Sequence, residues 1–382
     1  MFLGTYRLDK LPITIAFYLY PLIGLISLIL GVNFGPLKDL LWLIPFALLP
    51  LVVFQNKIKL TKRELTLVYI LILYFSLKFF LPLLINFNLP YFYWPPFIME
   101  IKGWFFLLFS YFWFKANRGI EYEDFVKGGL FLGKLYILVF FILIVTGNHF
   151  RFGLGSESNY DGILILLAYL ACLKSSNNRK DKIILSLSTL ITLSRTGIIC
   201  WLVITFFFIK RKALFLIFLA PVFLFAMISL FISARGGVGN LENADRFIFW
   251  GQAFLYLKDI DTLTLLLGHF PGIEMRVENL LPSFSWYINH FGEKNNITGV
   301  HSFIFHGFWL RMAITCGIPF AVGIILWCVK RILYSKNNIE KGYLSLLILQ
   351  GFSLALFHLT LVSIPLLLFA FMLYGKDDRV DN

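Results

Sequence analysis

Six histidines (His149, His269, His290, His301, His306 and His358) and six arginines (Arg151, Arg195, Arg235, Arg246, Arg276 and Arg311) are the residues of this chain best suited to chemistry. A guanidinium grips phosphate oxygens in pairs and neutralises their charge. An imidazole exchanges a proton near neutral pH. Gathered in one pocket, the two would serve a transfer in which a phosphorylated group departs with negative charge while a hydroxyl gives up its proton. No metal or cofactor is expected, because arginines supply the neutralisation a cation would otherwise provide. The cysteines (Cys172, Cys200, Cys316, Cys328) match neither a metal spacing nor a disulfide framework and read as small core residues. Asp259-Ile-Asp261 has the spacing of a metal–nucleotide DxD but reads more simply as a turn at a helix end. Lys78, Lys102, Lys127 and Lys134 stand in or beside apolar runs and are further candidates for lining a cavity.

The elements that must position these groups follow from composition. Of 382 residues, 59% are apolar and 14% charged, against about 25% charged in soluble domains. With mean hydropathy at +0.80, a soluble enzyme, a secreted disulfide scaffold and a disordered chain are excluded. The apolar stretches are continuous rather than alternating, which argues for helices over a β-barrel. They fall at about 11–31, 39–54, 66–87, 98–114, 126–147, 161–173, 183–194, 196–209, 213–234, 305–328, 342–357 and 359–374. The expected fold is therefore an all-α polytopic membrane protein of about 12 transmembrane helices. The first run is too long for a signal-peptide core and reads as a permanent span. Tyr91, Tyr93 and Trp94 read as an interface belt.

The net charge of +13 fits a membrane protein with basic cytoplasmic loops better than a nucleic-acid binder. With the N-terminus inside, the cytoplasmic segments hold 21 Lys and Arg and the opposite side 8, which places both termini in the cytoplasm. All six histidines fall in or next to the non-cytoplasmic segments. Three regions follow: an N-terminal membrane region of about nine spans (1–234), one large extracytoplasmic loop (235–304), and a C-terminal membrane region of about three spans with a cytoplasmic tail (305–382). The loop opens with a glycine run and continues into an amphipathic helix, with Asn243 as N-cap and Phe247, Trp250, Phe254 and Leu257 along one stripe. Arg195 sits in an apolar hairpin, where a charge costs roughly 2.5–3.5 kcal/mol to insert, and so should face a polar cavity or a partner. The alternative at 195 is a snorkelling or structurally paired arginine. At 246 it is a solvated loop charge paired with Asp245, and for each single histidine it is a structural role.

Four stretches together resemble the bacterial O-antigen ligase and polymerase superfamily of integral membrane glycosyltransferases. They are Ser194-Arg195-Thr196-Gly197 opening a span; Arg246-Phe-Ile-Phe-Trp250 with the later Gly268-His-Phe-Pro-Gly272; a histidine closing the large loop; and Arg151-Phe-Gly-Leu-Gly-Ser-Glu-Ser-Asn159. The family's His-Asn/Ser, nine residues, then Gly is split here. His301-Ser302 has the dipeptide but Met312 where the glycine is due, and His306-Gly307 has a glycine eleven residues on but no Asn or Ser. The resemblance implies a polymerase of O-antigen or capsule type in a bacterial inner membrane, acting at the periplasmic face. It would move glycan from undecaprenyl diphosphate to a lipid-linked repeat unit, with membrane lipid as solvent and a chain-length regulator protein as a further partner. Arg195 and Arg246, supported by Arg151, Arg276 and Arg311, would bind the diphosphate, and His301 or His306 would activate or orient the acceptor hydroxyl. His301 is slightly favoured for its Ser neighbour. A ligase passing glycan to lipid A–core is the near alternative. A flippase is the distant one, which should show paired repeats that residues 1–120 lack.

Overall fold

The computed structural model describes residues 8–56, 58, 60–80, 84, 92–117, 119–147, 152–176, 178–210, 212, 221, 245–275 and 299–375. Among them there is no strand; a lone backbone bridge pairs Met275 with Val300. The helices, in chain order, are α1 (Leu8–Leu30), α2 (Gly35–Gln55), α3 (Lys62–Phe75), α4 (Trp94–Ala116), α5 (Tyr122–Val145), α6 (Ser158–Ser175), α7 (Arg179–Ile191), α8 (Arg195–Phe208), α9 (Asp245–Asp259), α10 (Thr262–Leu267), α11 (Phe308–Cys316), α12 (Ile318–Tyr334), α13 (Asn338–Gly351) and α14 (Thr360–Tyr374). Of these, α1, α2, α4 and α5 are long and apolar enough to cross a membrane. Helix is what such a sequence must form in hydrocarbon, where no water satisfies an exposed backbone N–H or C=O. Ile29, Phe54, Leu73 and Leu138 are more than half exposed, as side chains facing lipid would be. The chain is thus an all-α protein of membrane character. The run at 213–234, Pro221 apart, and the whole of 235–244, including Asn243, lie outside the described residues.

The core is organised around α6. From Ile163 to Cys172 nearly every side chain is fully buried, the mark of a helix wrapped on all sides by others. α5, α7, α8, α13 and α14 all pack against it. Contacts between helix ends sort the connections into two sets. One set is closed by ion pairs: Lys10 with Asp124 at 2.6 Å, Lys115 with Glu64, and Arg331 with Glu340 at 2.6 Å. The other set carries the starts of α4, α6, α8, α11 and α14.

Two expectations from patterning are corrected. The run at 305–328 does not form one helix. It breaks into α11 and α12 at Gly317, whose φ of 91° lies in the region that L side chains avoid. A carbon at its Cβ position would stand 2.1 Å from the Leu266 carbonyl oxygen, so the end of α10 occupies the notch. The buried stripe of α9 is the expected one only in part: Trp250 and Leu257 are half-buried as expected, but Phe254 is 70% exposed, and Phe249, Gln252 and Ala253 are buried in its place. The helix is buried by a satellite core of Met275, Val300, Phe305 and Leu310, which a single-helix pattern does not register.

Candidate functional site

The turn after α13, Gly351 to Leu354, is where distant segments meet. Ser194 caps α8, its Oγ accepting the Gly197 N–H at 3.1 Å. That places Thr196 against the turn, its Oγ1 accepting from Ser353 Oγ at 3.3 Å. Trp250 of α9 donates Nε1–H to the Phe352 carbonyl at 3.4 Å and lies against the Phe352 ring with centroids 5.6 Å apart. Phe308 at the head of α11 donates its N–H to the Leu354 carbonyl at 3.0 Å. Gly351 is required here by close approach, since a Cβ would come within 2.4 Å of the Trp309 indole nitrogen.

The segments that carry several of the residues singled out from sequence meet at this turn. Arg195, half-buried, precedes Thr196 at the start of α8. Arg246 stands one turn ahead of Trp250 on α9, about 6 Å along the axis; its side chain lies outside the described residues. His306 is exposed, its ring 5.5 Å from that of Phe249 on the same helix. His301 is fully buried beside Tyr93, with ring centroids 5.6 Å apart. Burial pushes the His301 imidazole down to about 4, against the opposing pull of Glu274, so it is neutral at physiological pH. Arg151, Arg276, Arg235, His149 and His290 lie outside the described residues. His269 is held by Tyr256 Oη at Nδ1 (2.8 Å) and by the Ile273 carbonyl at Nε2 (2.9 Å); burial lowers its pKa, and it ties the loop to α9. Asp261 caps α10 by accepting from the Thr264 N–H at 2.9 Å, so Asp259-Ile-Asp261 is the junction of two helices.

The polar loop before α6 is clamped from two sides. Asp161 accepts the N–H groups of Leu154, Gly155 and Ser156 at 2.8–3.2 Å, and Lys38 donates to the carbonyls of Leu154 and Gly155 at 2.9 Å each. The cluster ties this loop to the starts of α2 and α6.

Beside the turn lies a centre that the sequence reading overlooked. Glu100, buried two turns into α4, accepts from Arg311 Nε (3.1 Å) and Nη2 (2.7 Å) and from Ser302 Oγ (2.8 Å) at Oε1. Its Oε2 meets His358 Nε2 at 2.8 Å. Arg311, expected to hold diphosphate, is thus engaged by a carboxylate and 3% exposed. Glu100 was legible in principle, since an acid inside a span must find a partner. Below the centre opens a cavity of about 370 Å³ walled by apolar side chains, among them Trp104, Phe308, Met312, Phe320 and Trp327. Glu100 and His358 are part of its lining.

Among the described residues no three His, Cys, Asp or Glu side chains are grouped closely enough to hold a metal ion. No family model matches the chain, and neither a curated protein nor a solved structure matches it.

Proposed function

We propose that this chain is an inner-membrane glycosyltransferase of about twelve spans with both termini cytoplasmic. It polymerises an O-antigen or capsule-type polysaccharide by moving glycan from undecaprenyl diphosphate to a lipid-linked repeat unit on the periplasmic face. The observation that carries this reading is the convergence of three sequence-distant segments on the turn at 351–354: the start of α8 with Arg195, the start of α9 with Arg246, and the stretch that carries His301 and His306 into α11. Guanidinium groups here would hold the diphosphate and stabilise its departing charge. His306, at the exposed rim, would orient the acceptor sugar, and the neutral, buried His301 would hold the rim in shape. The adjoining apolar cavity suits the isoprenoid end of such a donor. A ligase would share all of this and differ only in its acceptor.

Arg195→Ala and Arg246→Ala should each abolish long-chain glycan while the protein persists in the membrane at its normal level. Electrophoretic glycan ladders read beside an immunoblot measure both. Near-normal chain length in the two variants would remove the diphosphate role.

A further inference from the structure

The pairing of His358 with Glu100 is a second feature of the same end of the molecule, and it deepens the reading above, on which it rests. Glu100 accepts two hydrogen bonds from the Arg311 guanidinium and one from the Ser302 hydroxyl. A carboxylate so surrounded by donors is ionised and has only lone pairs to offer. The 2.8 Å contact to His358 Nε2 therefore requires the hydrogen to sit on Nε2. That fixes the tautomer: in the neutral ring the lone pair belongs to Nδ1. Nδ1 is buried, and among the described residues no group hydrogen-bonds it. A buried lone pair left without a donor is uncommon in native proteins and costly to maintain. The ring is part of the cavity's lining. An imidazole whose one N–H is held by a carboxylate, and whose buried second nitrogen has no donor among the described residues, is arranged to accept a proton from a hydroxyl brought against it.

We propose that His358 Nδ1 is the proton acceptor of the transfer, with Glu100 as its positioning residue. The acceptor hydroxyl hydrogen-bonds to Nδ1, its oxygen attacks the anomeric carbon of the donor sugar, and the bond from that carbon to the diphosphate oxygen breaks. The O–H proton passes to His358 and the bonding pair leaves with the diphosphate. The imidazolium formed is held by Glu100. Together with Arg311 it adds positive charge just as the leaving group gains negative charge, and the proton is later released to water.

The test uses the full-length protein in nanodiscs, with lipid-linked repeat unit extracted from the strain whose chain it extends. Wild type is compared with His358→Gln, Glu100→Gln and Arg195→Ala. His358→Gln should lower kcat at least 100-fold at unaltered melting temperature, and Glu100→Gln should lower kcat with KM unchanged while the melting temperature falls, because buried Arg311 loses its counter-charge. Nitrogen-15 spectra of histidine-labelled protein should show His358 protonated at Nε2 and bare at Nδ1. Turnover of His358→Gln within threefold of wild type, or a ring protonated at Nδ1, overturns the proposal. An inactive Arg195→Ala beside an unimpaired His358→Gln would sink this assignment alone, whereas a wild type that transfers no glycan would sink it together with the reading it rests on.

Discussion

His301 and His358 are both buried, and what lies against each ring divides the work between them: Tyr93 beside one and Glu100 paired with the other. His301 sits among Tyr93 and apolar neighbours, and its pKa of about 4 lies below the ordinary value for histidine. The sign of the consequence follows from linkage. Between about pH 6.5 and 4 the unfolded chain binds a proton at this position that the folded chain refuses, so stability falls as pH drops through that window. By pH 5 the loss amounts to about 2 kcal/mol, at 1.36 kcal/mol per pH unit. Thermal unfolding in detergent should show a steeper drop in midpoint from pH 7 to 5 for wild type than for His301→Gln; parallel curves would contradict the assignment. At this scale the sequence was partly legible. Arginine and histidine advertise their chemistry by type, and the helix starts that carry Arg195 and Arg246 both border the turn at 351–354 through Thr196 and Trp250. Glu100 stayed hidden because a lone acid in an apolar run creates no periodic signal, and its three partners lie 202 to 258 positions away in the chain.

Helices were predicted by long hydrophobic runs wherever those runs met lipid or core, and their breaks were not. The run at 305–328 is apolar throughout, so hydropathy cannot distinguish one helix from two. The decision lies in the backbone of Gly317, where a φ of 91° and the nearby Leu266 carbonyl leave no room for a side chain. Gly317→Ala should therefore destabilise the protein by at least the roughly 1–3 kcal/mol of such backbone strain. A lowered unfolding midpoint in detergent would register it, and an unchanged midpoint would show that the break does not depend on glycine. The shift of the α9 stripe away from Phe254 has the same origin. Phe254 matches the helical period as well as Phe249 does, but the satellite core formed by the chain around Met275 and Val300 lies on the Phe249 side.

For the molecule as a whole, contacts between helix ends sort the connections into two sets, one closed by ion pairs and one carrying the convergent turn. The four native cysteines are buried, so introduced ones report without background. A membrane-impermeant thiol reagent applied to intact cells should label Cys placed at Asn33 or Glu157 and spare Cys placed at Asn178 or Lys336. Labelling of all four alike would refute the two-sided arrangement. The long reach of the Glu100 contacts bears on biogenesis as well. Glu100 is translated 211 residues before Arg311, so at about 5–20 residues per second the nascent chain carries this acid for roughly ten to forty seconds with its counter-charge still unmade. The translocon thus handles an unmatched carboxylate through much of synthesis, and the last two helices to emerge bring the final piece of the site with them.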